Sequence, residues 1–369
     1  MLQRSEVPTP QIPDTADRAI VDVDALLARE LATLTQEWER HLDGLATDVL
    51  PDDLPGWLTG LLVGRGKRLR VRLAYWGFLA GGGQPGTPCY HRLIRVAAAL
   101  ETLHLFALIH DDVMDESDSR RGRPSAHCEA ATWHDAAGAA GDGEVFGRNL
   151  AILLGDLAHM LADRLVGDLP AGLRTIWFAL NIELMAGQRA DLTGAAARRR
   201  DRRHAQHVAR LKSGGYTVTR PLQLGAAAAD AGPGATAALL ACGERLGYAF
   251  ALRDDYLGVW GDPGVTGKPA GDDLFEAKPT VLLSLAAERL TGEAASLLAA
   301  VGTPALRRED VPRLAIAIRE AGVAEELDRL IAEEFDAAMA CLTAPDVTLD
   351  PDAVAGLRTT ARAAVWRHA

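Results

Sequence analysis

Two aspartate clusters, each at the end of an apolar stretch, are the residues of this chain best suited to chemistry. The first is DDVMD, with Asp111, Asp112 and Asp115, and the second is DDYLG, with Asp254 and Asp255. Residues four apart share a helix face, so Asp111 and Asp115 repel each other unless cations lie nearby. Magnesium takes oxygen ligands and commonly combines one or two carboxylates with phosphate oxygens. The spacing favours a magnesium–phosphate site, although DDxxD alone is equally compatible with a solvated helix end.

Basic residues lie close in sequence to both clusters or in short basic segments elsewhere. They are Arg120, Arg121, Lys212, Lys268, Lys278, Lys67 and Arg70. Guanidinium groups bind phosphate oxygens through two parallel hydrogen bonds, and lysines act as compact point charges. Each lysine alone is more commonly a surface residue. Together with two acidic helix ends, these side chains indicate a site for a metal-bound diphosphate.

The elements that position these side chains are predicted to be helices. Apolar residues recur at three- and four-residue spacing over the following segments. They are Val21–Ala46, Leu61–Leu79, Leu93–Met114, Leu150–Val166, Leu173–Leu192, Gln206–Ala229, Thr236–Val259, Pro279–Ala300, Glu309–Glu320 and Ala324–Leu342. Strand-like alternation is not convincing anywhere. We predict an all-α fold with one large helical bundle, preceded by a flexible Pro-rich tail over residues 1–18.

The composition of the chain argues against several classes of function and site. The net charge of −11 argues against a nucleic-acid partner. The basic run RRRDRRH at 198–204 is better explained as a solvated loop. The four cysteines are far apart and suggest neither disulfides nor a zinc site. The N-terminal residues lack a signal-peptide core, and no apolar run of bilayer length is evident, so we expect a cytoplasmic protein without a transmembrane segment.

The motifs, in their order, resemble the trans-isoprenyl diphosphate synthase (polyprenyl synthetase) family, and most closely its short-chain geranylgeranyl diphosphate synthases. The motifs are GKRLR at 66–70, ETLH at 101–104, LIHDDVMD at 108–115, RRGRP at 120–124, GQRADL at 187–192, LKSGGYT at 211–217 and the segment 247–280. The resemblance implies an antiparallel helix bundle around a central cavity and a homodimer, with residues 19–369 as the catalytic domain. It also implies magnesium-dependent head-to-tail condensation of an allylic diphosphate with isopentenyl diphosphate.

The resemblance assigns roles residue by residue. Two magnesium ions would be bound by Asp111, Asp112 and Asp115. A third would be bound by Asp254, with Asp255 behind it. The allylic diphosphate would be held by Arg120, Lys212 and Lys268. Isopentenyl diphosphate would be held by Lys67, Arg70, His104 and Arg121. Gln188 and Asp191 match positions near the reacting groups.

Three residues depart from the family pattern. Ala251 stands where the family usually has Gln, beside the isopentenyl diphosphate site; Gly258 replaces a third Asp, and Ala277 replaces a Gly. We expect Ala251 to lower condensation efficiency or alter substrate handling. A noncatalytic or regulatory subunit on the same fold is an alternative. A class I terpene cyclase is a second alternative, but the GKR and RRG motifs argue against it.

Product length is predicted from the helix that precedes the first cluster. Phe106 lies five residues before Asp111, Ala107 lies one turn below Asp111, and Leu103 one turn further. In the family, an aromatic residue at the position of Phe106 is similar to the pattern found in the synthases that make C20 products. We therefore expect geranylgeranyl diphosphate, with C15 and C25 as alternatives; Phe106 could also be an ordinary core residue.

Overall fold

The computed structural model describes residues 16–45, 49–63, 66–120, 122–262, 270–345 and 347–367. The longer helices of these segments are α1 (Ala16–Leu42), α2 (Leu54–Leu62), α3 (Leu69–Ala80), α4 (Pro88–Met114), α5 (Ala126–Ala136), α6 (Gly143–Gly167), α7 (Ala171–Ala196), α8 (Arg202–Val208), α9 (Arg220–Ala228) and α10 (Pro233–Trp260). They continue with α11 (Asp272–Phe275), α12 (Val281–Arg289), α13 (Gly292–Ala300), α14 (Val311–Glu320), α15 (Val323–Cys341) and α16 (Pro351–Val365). A π-helical segment (Ala209–Thr219) joins α8 to α9, and Arg308–Asp310 form a 3₁₀ turn.

The all-α prediction is confirmed. The strands in the described residues, β1 (Ser119–Arg120) and β2 (Arg123–Pro124), form a two-residue antiparallel ribbon after α4. Residues 16–18, which were predicted to belong to the tail, begin α1 instead. Residues 1–15 of that predicted tail lie outside the described segments.

Several predicted helix boundaries were wrong. The single helix predicted over 61–79 is divided into α2 and α3, because Gly66 and Arg68 adopt left-handed φ angles of 83° and 50°. The helix predicted over 279–300 is interrupted by extended backbone at Leu290 and Thr291. Only the end of α2 was predicted, and α5 and α16 were not predicted.

Helix α4, which carries the first aspartate cluster at its C-terminal end, runs through the core. It packs against α6, α3, α1 and α9. By length and composition α4 could cross a membrane, with a mean hydropathy of 1.5 in its most apolar window, but 67% of that window is buried inside the molecule. Such burial is typical of a core helix in a globular protein. The first aspartate cluster therefore lies at the end of a helix that is largely buried in the bundle.

Arg68, the middle residue of the basic segment GKRLR, connects four elements. Its guanidinium donates to Glu101 Oε2 (3.0 Å), Asp24 Oδ1 (2.6 Å) and the Leu62 carbonyl (2.8 Å). Arg68 and Glu101 are 6% and 7% exposed, so both charges are buried and depend on each other. The middle residue of GKRLR is thus structural, and it holds the flanking residues Lys67 and Arg70 in place.

Arg68→Met should destabilise the protein by about 3–5 kcal/mol, because it leaves the Glu101 carboxylate buried without its partner. Urea denaturation followed by circular dichroism measures the loss. The control is Arg72→Met, which removes a more exposed pair with Asp17 and should cost at most about 1 kcal/mol. Equal losses for the two variants would contradict the structural role of Arg68.

Candidate active site

Each carboxylate of the first aspartate cluster has its own cationic partner. Lys212 Nζ lies 3.0 Å from Asp111 Oδ1 and 2.5 Å from Asp191 Oδ2, so one ammonium group joins α4 to α7. Gln188 Nε2, also on α7, donates to Asp111 Oδ1 (3.2 Å). Burial alone would raise the pKa of Asp111, but Lys212 and other nearby cations hold it well below its usual range. Asp111 is therefore ionised at any physiological pH.

Asp112 is paired with Arg120 of β1. The Arg120 Nε and Nη2 atoms donate to the two carboxylate oxygens at 2.6 and 2.5 Å, in the parallel geometry that guanidinium favours. Asp112 is only 3% exposed. The β1–β2 ribbon, which turns through the positive-φ Gly122, returns the chain to the end of α4 and places Arg120 there. The turn that the sequence predicted at Gly122 and Pro124 is present, and Arg120 lies on the strand before it.

Asp115 is paired with Lys278, which follows α11. Lys278 Nζ lies 2.7 Å from Asp115 Oδ2, 2.8 Å from Glu276 Oε2 and 3.7 Å from Asp273 Oδ1. Burial would lower the pKa of Lys278, but these carboxylates raise it well above its usual value. Lys278 therefore joins the first cluster to the segment that follows the second one.

The π-helical segment places Lys212 at the first cluster through close contact with two helices. A Cβ at Gly187 of α7 would lie 2.5 Å from the Lys212 backbone nitrogen, and a Cβ at Gly214 would lie 2.5 Å from the Gly247 carbonyl of α10. Side chains at these positions would push the elements apart. The π-helical segment thus packs closely between α7 and α10. Such segments are rare in proteins but are often found at functional sites.

The second cluster, on α10, faces the first across one cleft, whose wall includes Asp111, Asp191, Asp254, Asp255 and Asp273. Asp255 accepts a hydrogen bond from the Val281 amide (3.0 Å) at the start of α12. Burial, together with the neighbouring Asp273 carboxylate, raises the pKa of Asp255 to about 8. Asp255 thus lies in a more acidic environment than Asp111, whose pKa nearby cations lower.

Asp254 pairs with Arg367, near the end of the described chain. The Arg367 Nη2 atom contacts Asp254 Oδ1, and its guanidinium lies 4.6 Å from the centre of the Phe250 ring. Burial, with the charges of Arg253 and Arg70 nearby, lowers the pKa of Arg367 to about 10. Arg367 therefore lies between the second cluster and the basic group around Arg70.

That basic group is organised by Tyr216 of the π-helical segment. The Arg70 guanidinium lies 4.4 Å from the centre of the Tyr216 ring and donates to Thr217 Oγ1 (2.8 Å). The Tyr216 hydroxyl lies 3.4 Å from His104 Nδ1. Thr217 is five residues after Lys212, one hydrogen-bonded turn of a π-helix. One segment thus supports both the first aspartate cluster and the basic group.

Comparison with known proteins identifies the family. The family model described as polyprenyl synthetase matches residues 56–318, well over half of the chain. The chain belongs to the polyprenyl synthetase family.

Relatives within the family are similar over most of the chain. A geranylgeranyl diphosphate synthase from Mycobacterium tuberculosis is 36% identical over 304 residues, covering 79% of this chain and 78% of the relative. A geranylfarnesyl diphosphate synthase from Aeropyrum pernix is 33% identical over 250 residues, covering 65% and 72%. The crystal structure of a geranylgeranyl pyrophosphate synthase from Corynebacterium glutamicum, complexed with isoprenyl diphosphate and magnesium, has a TM-score of 0.84 at 35% identity, covering 94% of this chain and 99% of that one.

Most site residues predicted from the family motifs are brought together in two groups. The first group contains Asp111, Asp112, Asp115, Arg120, Gln188, Asp191, Lys212, Asp254 and Asp255 around the cleft. The second contains Arg70 and His104 around Tyr216, and Lys67 is exposed on the loop before α3. Arg121 and Lys268 lie outside the described residues. The roles assigned to all of these residues remain predictions.

The donor set of the cleft fits magnesium in its chemistry. The donors are carboxylate oxygens, the ligands that this hard cation prefers. The described residues do not form a ready-made group of three or more acidic, histidine or cysteine ligands around one point. Such a cage is not expected for magnesium, which keeps several waters and usually combines one or two carboxylates with substrate phosphates.

Sequence reasoning did not assign roles to three residues that the structure places at the site, Asp273, Tyr216 and Arg367. Lys278 was predicted only as one of the basic residues of a diphosphate site. A Cβ at Gly258 would lie 1.8 Å from Asp273 Oδ2, so the glycine in place of a third Asp makes room for the Asp273 carboxylate. The GDD sequence at 271–273 was the available signal for Asp273, whereas nothing local in sequence pointed to Arg367. Ala251 is 1% exposed, one residue after the Phe250 ring that Arg367 covers.

Gly247→Ala should destabilise the protein and reduce turnover, because its Cβ would lie 2.8 Å from the Gly214 carbonyl and 3.0 Å from Thr219 Oγ1. Thermal unfolding and steady-state kinetics measure the two effects. Gly234→Ala is the matched control, since it lies on the same helix with open space around it and should be neutral or stabilising by up to about 1 kcal/mol. If Gly247→Ala behaved like Gly234→Ala, the close contact between α10 and the π-helical segment would be wrong.

Proposed function

We propose that this chain is a cytoplasmic, magnesium-dependent geranylgeranyl diphosphate synthase that extends an allylic diphosphate with isopentenyl diphosphate. The observation that carries the proposal is the pairing of acids and cations across one cleft. Asp111, Asp112 and Asp115 each face a separate cation, and the second cluster faces them. The similarity to the Mycobacterium tuberculosis and Corynebacterium glutamicum synthases supports both the reaction and the product.

The paired charges of the cleft are the proposed site of the allylic diphosphate. In this proposal Asp111, Asp112 and Asp115 bind two magnesium ions and Asp254 a third, with Asp255 behind it. Arg120 and Lys212, released from these carboxylates, then donate to diphosphate oxygens, and Lys268 is proposed to do the same. We add Lys278 because it contacts Asp115. Arg367 must leave Asp254 for Asp254 to serve as a ligand.

The chemistry is the departure of diphosphate from the allylic carbon. Bound magnesium supplies Lewis-acid stabilisation of the charge on the leaving diphosphate. Arg120 and Lys212 add fixed positive charge to the same oxygens as the C–O bond breaks. The alkene of isopentenyl diphosphate then attacks the allylic cation, forming the new C–C bond. The proton lost in restoring the double bond passes to the departed diphosphate, so a side-chain nucleophile is not needed.

The basic group around Tyr216 is the proposed isopentenyl diphosphate site. Lys67, Arg70, His104 and Arg121 hold its diphosphate, and Gln188 and Asp191 lie near the reacting carbons. Arg70 is 6% exposed and held on the Tyr216 ring, so its guanidinium is oriented before the substrate binds. Ala251 gives no amide beside this site, which favours reduced efficiency over loss of activity.

Product length is set in this proposal by α4 below the first cluster. Leu103 is fully buried and Phe106 is 7% exposed, whereas Ala107 is half-buried on the same helix. Phe106 closes the space into which the growing chain extends. The geranylfarnesyl diphosphate synthase among the relatives keeps C25 open as an alternative, and C15 is the other.

The direct test incubates the purified protein with magnesium, isopentenyl diphosphate and each allylic primer in turn, and sizes the products after dephosphorylation. C20 should predominate and chelation should abolish it. Asp111→Asn should lower turnover by roughly 10²–10³-fold, whereas Asp118→Asn, an exposed neighbour, should retain activity. Failure to elongate any primer would favour a noncatalytic subunit. Cyclised products without isopentenyl diphosphate would favour a cyclase, and a C15 or C25 product would reject C20 alone.

The exposed apolar face of α6 and α7 supports a homodimer. Of the twelve large apolar side chains that are exposed in the described residues, eight lie on these two contacting helices. They are Val145, Ile152, Leu153, Met160, Phe178, Ile182, Met185 and Leu192. A face of this kind on a globular protein usually marks an interaction site, and self-association through a two-fold axis is the commonest use.

Ile182→Glu should convert the proposed dimer to a monomer, because it buries a charge at the centre of the exposed apolar face. Sedimentation equilibrium measures the mass. The control is Ile316→Glu on α14, where an isoleucine of similar exposure (58%, against 55% for Ile182) lies outside the face. A wild-type monomer, or the same mass for both variants, would reject dimerisation through this face.

A further inference from the structure

The ring of Phe106 is held between two imidazoles. Its centroid lies 4.6 Å from that of His110, one turn further along α4, and 4.7 Å from that of His159 on α6. Both imidazoles are tilted to the Phe106 ring, by 58° and 49°, at centroid distances typical of aromatic pairs. The phenyl ring therefore packs against one imidazole from its own helix and one from α6.

His110 is fixed by the α6 backbone. Its Nε2 lies 3.1 Å from the Ile152 carbonyl. A Cβ at Gly155 would lie 2.2 Å from His110 Cδ2, so the imidazole occupies the space that this glycine leaves open on α6. If the imidazole of His110 turned away from Phe106, it would lose this hydrogen bond. If it turned toward α6, it would clash with the helix.

His159 is fixed by a hydrogen-bonded chain that reaches α7. The Asn181 amide nitrogen donates to the Trp177 carbonyl (2.9 Å), which leaves Asn181 Oδ1 to accept from His159 Nε2 at 3.0 Å. The Trp177 indole donates to Asp163 (2.7 Å), whose other oxygen lies 3.9 Å from His159 Nδ1. These bonds set the plane of the imidazole that Phe106 packs against.

We propose that His159, oriented by Asn181, is a positioning residue for product length. It holds the Phe106 ring across the path of the growing prenyl chain. Phe106 lies five residues before Asp111, about 7.5 Å along the helix axis at 1.5 Å per residue. Without the His159 imidazole, the phenyl ring can rotate into the space on its α6 side, and the chain can grow past it. This inference rests on the proposed synthase activity and on Phe106 as the floor.

The test compares product distributions of His159→Ala, Phe106→Ala and wild type under identical primer conditions. We expect both variants to raise the share of products longer than the wild-type product severalfold. His159→Phe should restore the wild-type length, since it returns a ring to the contact. His91→Ala, an exposed histidine elsewhere on α4, is the control and should leave the distribution unchanged.

Asn181→Leu provides an independent variant that keeps the His159 ring but removes its hydrogen bond. It should lengthen products less than His159→Ala, and it should have no added effect in the His159→Phe background. If His159→Ala and Asn181→Leu left the product distribution unchanged while Phe106→Ala lengthened the product, the proposed role of His159 would be wrong. The role of Phe106 would stand. A wild-type protein that elongates no primer would instead remove the proposed function itself.

Discussion

The constraint on which the site depends is that no carboxylate of the first cluster is buried without its own positive charge. Asp112 is almost inaccessible to solvent, and its Arg120 partner satisfies both oxygens at once. Burying an ionised carboxylate is costly unless it is paired and hydrogen-bonded. The elements that deliver the partners, the short β ribbon, the π-helical segment and the loop after α11, are therefore fixed by charge as much as by apolar packing.

This pairing also explains how distant parts of the chain come together in one cleft. Lys212 links α4 to α7, and Lys278 links α4 to the chain that follows the second cluster. Glycines at the contact points of the helices, such as Gly187 and Gly214, bring the backbones close enough for these lysines to reach. Charge and close packing thus act together: the glycines set the distance, and the ion pairs set which side chains meet.

The sequence was enough to predict the fold class and the two aspartate clusters, because both rest on local spacing. The helix that carries the first cluster follows from apolar periodicity, and the turn after Arg120 follows from Gly122. Features that depend on distant contacts were not predictable in this way. Arg367 meets Asp254 because α16 packs against α10 and α3, and Asp273 reaches the space at Gly258 from a separate helix, α11. Helix breaks were also missed. Arg68, at the break between α2 and α3, combines a left-handed φ with a buried ion pair to Glu101, a contact distant in sequence.

That ion pair limits how the family fold can vary in this chain over evolutionary time. Neither Arg68 nor Glu101 can be replaced alone without leaving the other charge buried and unmatched, and Asp24 shares the same guanidinium. Substitutions at 68 and 101 should therefore be inherited together, with the basic residue and the acid lost or kept as a unit. Because the two positions lie inside the segments GKRLR and ETLH, these segments combine residues that hold the fold together with residues proposed to bind substrate.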